Sequence, residues 1–170
     1  MTYWHLRKVS GKAGEFQATG FNDPSGSPIY VSSYTAGSPT PPHRIAASAI
    51  TASSTMGGTS TANVNDGLYL TGVWNSGGAA PAWIELDLGS SHFINSVRMT
   101  PDMSPSGSVS ETIYVGNSPG PAGVGGSYSG AAATLEPISV NIGVSARYVR
   151  ISTTSSPSWV AWREIEIYGY

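Results

Sequence analysis

Short runs of alternating apolar and polar residues recur along the chain, and they predict β-strands. The clearest run covers residues 83–89, where Ile84, Leu86 and Leu88 fall on one face of an extended segment and polar residues on the other. Residues 45–51 fit either a strand or a short helix. Further strands are predicted over residues 3–9, 15–19, 93–100, 112–116, 135–141, 147–152 and 162–169, with a short one around Ile29 and Val31.

The segments between these runs read as turns and loops. They are rich in Ser, Gly and Pro (21 Gly and 12 Pro in 170 residues), and the glycine-rich segment 122–126 is predicted to be a mobile surface loop. Charged residues make up 11% of the chain, against roughly 25% in typical domains, which argues against a helical bundle. The pattern therefore predicts an all-β fold, an antiparallel β-sandwich or jelly roll, as a single domain over residues 1–170.

Charge and cysteine content narrow the possible partners. The formal net charge is -2, and the eight basic residues are scattered, so no basic stripe is available for nucleic acid or an anionic membrane surface. The chain has no Cys, which excludes disulfides and thiolate metal sites. No apolar run is long enough for membrane insertion, and the first residues do not resemble a signal peptide. We expect neither nucleic acid nor membrane insertion.

Few titratable groups are placed for catalysis. The three histidines lie far apart in sequence: His5, His43 and His92. Two carboxylate pairs on predicted strands have the spacing to be considered as the acid and base of a glycosidase, namely Glu85 with Asp87 and Glu164 with Glu166. Solvated residues on the outer face of a sheet explain these pairs more simply. The sequence therefore predicts that the chain is not an enzyme.

Four segments in the second half of the chain carry a more specific pattern. They read ANVNDGLYLTGVW from residue 62, WIELDLG from residue 83, ARYVRI from residue 146 and EIEIYG from residue 164. In this order and spacing they resemble the discoidin domain, or coagulation factor V/VIII C-type domain, whose galactose-binding-like jelly roll is shared by family 32 carbohydrate-binding modules. The resemblance is clearest over residues 47–169, whereas residues 1–46 match less well and would add strands and a loop.

The resemblance implies a structural calcium ion in the loop before Trp74. The implied ligands are the side chains of Asp66, Thr71 and Glu164 and the backbone carbonyls of Asn63 and Leu68. Calcium accepts such oxygen ligands, about six to eight of them. An Asn-Asp-Gly sequence also forms an ordinary turn. The chain departs from the family in one respect, since two residues rather than one separate Thr71 from Trp74.

The resemblance also implies a ligand site among loops at one end of the sandwich, here residues 101–110, 118–131 and 153–158. A sugar site of this kind pairs an aromatic ring with planar polar groups. The candidates for the ring are Tyr69, Tyr128 and Trp162, and those for the polar contacts are Arg98, Asp102 and Asn117. Trp159 is predicted to lie in the core, and Trp74 and Trp83 in the core or against the calcium loop.

Two functional hypotheses follow. The leading one is a non-catalytic, lectin-like adhesion module that recognises a cell-surface or polymer glycan, as a homo-oligomer or within a larger assembly. The alternative is a phage virion protein, such as a tail-fibre tip or a capsid or tail decoration, which uses the sandwich for assembly or host attachment. Both hypotheses place the chain outside the cell or on a virion surface.

Overall fold

The computed structural model describes residues 5–8, 16–22, 28–31 and 41–170. The chain divides into two compact units, Met1–Pro41 and Pro42–Tyr170. The first unit contains an antiparallel sheet in the order β1-β2-β3, formed by β1 (His5–Lys8), β2 (Phe16–Asn22) and β3 (Pro28–Val31). These strands overlap those predicted over residues 3–9, 15–19 and around Ile29; residues 3, 4, 9 and 15 lie outside the described residues.

The second unit is built from eight strands, and every pairing between them is antiparallel. The strands are β4 (His43–Ile45), β5 (Ala49–Ala52), β6 (Trp74–Ala79), β7 (Ala82–Pro101), β8 (Gly107–Gly116), β9 (Gly123–Ala132), β10 (Ile138–Ser155) and β11 (Trp159–Gly169), with a 3₁₀ turn at Thr61–Asn65. The all-β prediction is confirmed. Within the described part of the chain, no helix has the length and apolar character needed to cross a membrane.

Two long strands, β7 and β10, pass through both layers of the sandwich. In one layer, residues 82–87 of β7 and 148–155 of β10 pair in the order β5-β7-β10-β8-β9. In the other layer, residues 92–101 of β7 and 138–146 of β10 pair in the order β10-β7-β11, and β4 and β6 both pair with β11. The strands predicted separately over 83–89 and 93–100, and over 135–141 and 147–152, are therefore halves of two continuous strands.

Glycines mark the places where these long strands bend between the layers. Gly89 has a φ of 79°, and Gly143 has a φ of 76° at the shift in register between Asn141 and Val144. A positive φ is strained for any residue that has a Cβ, and glycine avoids this strain. The bends therefore fall where glycine occurs.

The core lies between the layers and is formed by the inward positions of each strand. Ile84, Leu86 and Leu88 are all buried, which confirms the alternation predicted for residues 83–89. Trp74 is also fully buried, as predicted, and its indole Nε1 donates to the carbonyl of Ser54 at 3.1 Å. The hydrogen bond satisfies the one polar atom that this large side chain brings into the core.

Strand β9 was missed by the sequence pattern, which predicts a mobile loop over 122–126 and a loop over 118–131. Glycines are needed there because β9 packs closely on its neighbours. A Cβ at Gly126 would lie 2.6 Å from Cγ1 of Val140, and one at Gly125 would lie 3.0 Å from Val115. The absence of side chains removed the alternating pattern that identifies a strand. Residues 45–51, by contrast, fall on β4 and β5 rather than on a helix.

Gly169, at the end of β11, gives a direct test of this packing. An added Cβ would overlap the carbonyl oxygen of Phe93 on β7. We expect Gly169→Ala to lower the free energy of unfolding by about 2–3 kcal/mol, because β11 must move away from β7. Urea unfolding measures the change. Gly78→Ala is the control, since a Cβ at Gly78 meets no atom within 4 Å; equal effects of the two variants would contradict this account.

Candidate functional site

The end of the sandwich where β8 begins contains a buried carboxyl group. Alternation along β8 directs Val109, Glu111, Ile113 and Val115 inward, and Glu111 is only 2% exposed. Within residues 41–170, the hydrogen bond that the Glu111 carboxyl receives comes from the hydroxyl of Thr153, which donates to Oε2 at 2.7 Å. Glu111 thus brings a charge-bearing group into an apolar environment with one hydrogen bond to support it.

Strand register places Glu111 in the middle of a polar row across three strands. Glu111 pairs with Thr153 of β10 on one side and with Tyr128 of β9 on the other. Residues directly opposite one another in antiparallel strands share a face of the sheet. Tyr128, predicted as a ligand residue, is therefore a neighbour of Glu111, and its hydroxyl donates to the carbonyl of Ala131 at 2.5 Å.

Burial changes the acidity of this group. Removal from water disfavours the charged form and raises the pKa of Glu111 to about 7, against which the hydrogen bond from Thr153 acts only in part. Glu111 therefore changes its charge near neutral pH, which few carboxyl groups do.

A narrow depression leads from the surface to Glu111. Its lining includes Met103, Glu111, Thr153, Ser156 and Trp159, and its interior has a volume of about 10 Å³. A space of that size holds one group as large as a water molecule. Trp159 is 41% exposed at this depression. The prediction that Trp159 lies in the core is wrong, because β11 begins at this residue and the chain on its N-terminal side leaves part of the ring uncovered.

The structure distributes the other predicted ligand residues over different parts of the sandwich. Trp162 is 3% exposed within the core, so its ring has no face for a sugar, and its prediction as a stacking residue is corrected. Asp102 forms an ion pair with Arg163 at 3.3 Å, beside the lining residue Met103. Asn117 accepts a hydrogen bond at 3.1 Å from the backbone N–H of Arg147.

Tyr69 and Arg98 do come together, but in a cluster whose polar atoms bond to one another. Arg98 donates to Glu166 at 3.0 Å and to the Tyr69 hydroxyl at 3.4 Å, and Tyr168 donates to Glu166 at 2.8 Å. Burial, with the hydrogen bond to Glu166, raises the pKa of Tyr69 to about 12. The internal bonding leaves this cluster less to offer a ligand than the depression at Glu111.

The carboxylate pairs on β7 and β11 are not solvated, contrary to the simpler interpretation of the sequence. Glu85 is buried and accepts a hydrogen bond from Arg150 at 2.9 Å. The same guanidinium lies over the ring of Trp83, two residues before Glu85 on β7, with Cζ 4.0 Å from the ring centroid. Asp87 binds Arg147 through both carboxylate oxygens, which holds the pKa of Asp87 well below its ordinary value. Trp83 therefore packs beneath an arginine on the outer face.

One of the predicted calcium ligands, Glu164, pairs with an arginine. Glu164 is completely buried, and its Oε1 accepts from the guanidinium of Arg44 at 2.5 Å. The backbone N–H of Gly67 donates to both carboxylate oxygens at 3.2 Å. Burial nevertheless raises the pKa of Glu164. Glu164 is thus paired with an arginine from β4.

Two other implied ligand residues form side-chain hydrogen bonds close by in sequence. Asp66 accepts from the backbone N–H of Leu68 at 2.8 Å, and the side-chain amide of Asn63 donates to the carbonyl of Val73 at 3.1 Å. The side chain of Thr71 is exposed. Among the described residues, no three Asp, Glu or His side chains are grouped to hold a metal ion. Calcium at this loop therefore stays a prediction of the resemblance, and Arg44 is the cation that Glu164 contacts in the structure.

Glu111 was not predicted as a site residue. The sequence does carry a signal for it: in the run VSETIYV over residues 109–115, a glutamate occupies a position whose neighbours two residues away are apolar. The exposure of Trp159 carries no comparable signal, because it depends on how neighbouring strands end.

Stability should depend on pH through Glu111. The folded chain holds the proton up to about pH 7, whereas the unfolded chain loses it near 4.5, so stability falls as pH rises between these values. Glu111→Gln removes this dependence. We expect the variant to match the wild type near pH 4.5 and to exceed it by about 3 kcal/mol near pH 8.

Chemical denaturation at both pH values measures this difference. Glu136→Gln is the matched control, because it makes the same substitution at an exposed glutamate. If the free energies of unfolding of Glu111→Gln and wild type differ by the same amount at both pH values, burial does not raise the pKa of Glu111.

Pairing of Glu164 with Arg44 and binding of calcium at this loop would have different effects on the stability of the protein. If the guanidinium neutralises Glu164, millimolar calcium and EDTA should each leave the wild-type melting temperature within about 1 °C. Arg44→Met should cost about 2 kcal/mol, because it leaves a buried carboxylate without its partner. Arg163→Met, which removes the more exposed pair with Asp102, is the control. A wild-type melting temperature that rises with calcium and falls with EDTA would instead support a metal site.

Comparison with known proteins identifies the fold family. The sequence model of the F5/8 type C domain family matches residues 49–165 of the chain. No curated protein sequence shows significant similarity to the chain. Among solved structures, the CBM32 of AlyQ in complex with 4,5-unsaturated mannuronic acid is 26% identical, with a TM-score of 0.61 over 74% of this chain and 97% of that module.

Two further structures extend the comparison. Chitosan-binding module 1 of a chitosanase/glucanase from Paenibacillus sp. IK-5 is 29% identical, with a TM-score of 0.61 over 75% of this chain and 99% of that module. The family 32 module of C. perfringens NanJ, in complex with galactose, shares the fold at 17% identity, with a TM-score of 0.61 over 75% of this chain and 98% of that one. These are non-catalytic binding modules, in agreement with the prediction that the chain is not an enzyme. The match over most of its sandwich shows that the chain belongs to the F5/8 type C, or discoidin, domain family.

Proposed function

We propose that this domain binds carbohydrate without catalysis, at the end of the sandwich where Trp159 lies beside the depression over Glu111. One observation carries the proposal: a partly exposed indole adjoins a buried carboxyl group that has spare hydrogen-bonding capacity. Sugar rings have apolar C–H faces and polar edges, so they bind where an aromatic surface meets a few fixed polar groups.

Competing surfaces offer less to a sugar. The groove of about 230 Å³ beside Glu85 and Asp87 is larger, but both carboxylates are bound to arginines. Arg150 also covers the neighbouring ring of Trp83. A ligand there would have to break ion pairs before it gained contacts, whereas at Trp159 the ring already has an uncovered face.

The relatives support this class of ligand. The AlyQ module was solved with an unsaturated mannuronic acid, and the Paenibacillus module is named for chitosan. Both exceed 25% identity to this chain across nearly the whole of each module. The site is shallow and has few contacts, so affinity at a single site should be weak. Adhesion to a cell-surface or polymer glycan would then depend on several copies acting together.

A glycan array probed with protein multimerised on a carrier tests the proposal. We expect selective binding that Trp159→Ala weakens about tenfold or more, because the stacking surface is lost. Tyr170→Ala is the matched control: Tyr170 is also an exposed aromatic, and it follows the far end of β11, about 33 Å away along the strand.

Two results would contradict the proposal. One is equal weakening by both variants, since it would place the sugar elsewhere or reflect a general loss of folding. The other is a blank array with folded, multimeric protein, which would favour the alternative in which the sandwich serves assembly.

A further inference from the structure

We infer that the ligand at this site carries a free amino group and that Glu111 receives it, as the carboxylate partner of the sugar's ammonium ion. This inference rests on the proposed carbohydrate site and specifies its substrate class: amino sugars that are not acetylated. It begins from the distribution of charge among the buried residues of 41–170, where one acid is without a cation from that part of the chain.

Burial of a carboxylate is tolerated in this sandwich when an arginine accompanies it. Four glutamates are buried, and three of them bind an arginine: Glu85 with Arg150, Glu164 with Arg44, and Glu166 with Arg98. Glu111 is the fourth. Within residues 41–170, the other two arginines are paired with Asp87 and Asp102, so no arginine is left for Glu111.

The carboxyl of Glu111 has one oxygen without a partner in the described part of the chain. Thr153 donates to Oε2, and no described group donates to Oε1. The neighbours across the row are Thr153 and Tyr128, and the hydroxyl of Tyr128 is directed to the carbonyl of Ala131. Oε1 is not among the fully buried side-chain atoms of the described residues that lack a partner, so it keeps access to the depression that Glu111 lines. A donor that arrives from outside can therefore reach it.

The size of the depression limits what can reach that acceptor. About 10 Å³ accommodates one group the size of a water molecule, which a hydroxyl or an ammonium group matches and an acetamido group exceeds. A sugar ring resting on Trp159 would stay outside and place one substituent within. The geometry therefore favours a free amine over its acetylated form.

An ammonium ion suits the acceptor better than a hydroxyl group. A hydrogen bond between two ions is roughly twice as strong as one between neutral groups. The ammonium ion would also offset the cost of burying the Glu111 carboxylate without a positive partner. Because burial raises the pKa of Glu111 to about 7, the empty site is mostly protonated at pH 6. Binding an ammonium ion there must expel the proton of Glu111.

Calorimetric titration with three oligosaccharides tests the inference. They are the β-1,4-linked trisaccharides of glucosamine, N-acetylglucosamine and glucose, which share linkage and length and differ at the 2-substituent. We expect the glucosamine trisaccharide to bind at least about tenfold more tightly than the other two. Titration near pH 6 in two buffers of different ionisation enthalpy should show release of about one proton per bound glucosamine ligand.

The variant Glu111→Gln keeps the shape of the side chain and removes its charge. We expect it to weaken glucosamine binding by about tenfold to a hundredfold and to abolish proton release, while binding of the glucose trisaccharide changes little. Glu136→Gln is the control, because that exposed glutamate is a matched loss of charge elsewhere. A structural role for Glu111 would instead affect all three ligands alike.

Failure of the inference is distinguishable from failure of the proposed function. Equal or tighter binding of the glucose or acetylated trisaccharide, still weakened by Trp159→Ala, would overturn the amino-sugar inference and keep the carbohydrate site. Binding of glycans on the array but of none of the three trisaccharides would do the same. Glucosamine binding that Trp159→Ala leaves intact would overturn both.

Discussion

A carboxylate removed from water must find a positive partner or keep a proton, and this sandwich buries four glutamates. Three of them meet this constraint with arginines from other strands. The three ion pairs each join two strands: Arg44 (β4) with Glu164 (β11), Arg98 (β7) with Glu166 (β11), and Arg150 (β10) with Glu85 (β7). Because breaking a buried pair is costly, these contacts favour the strand order and register observed.

The same constraint applies to Glu111 at the proposed site. Glu111 has the burial of the other three but no arginine among the described residues, and its proton is its substitute for a partner. The fold positions this exception at the end of the sandwich, next to the uncovered ring of Trp159.

The sequence predicted the strands with clear alternation, the all-β class and the discoidin family, because these depend on local pattern and on motifs in order. It did not predict β9, whose glycines replace the alternating side chains that packing excludes. It also did not predict the pair between Arg44 and Glu164, since an ion pair between residues 120 positions apart depends on strand pairing. The burial of Trp162 and the exposure of Trp159 depend likewise on how strands end.

If a glycan contacts Trp159 at this end of the sandwich, the indole N–H signals of the five tryptophans will report the contact. In a ¹H–¹⁵N spectrum of the full chain titrated with a glycan identified by the array, we expect the Trp159 signal to shift in proportion to occupancy. The signals of the buried Trp74 and of Trp83, beneath Arg150, should stay in place. If the Trp83 signal shifts most and the Trp159 signal stays in place, the ligand does not bind at Trp159 and lies on the outer face of β7.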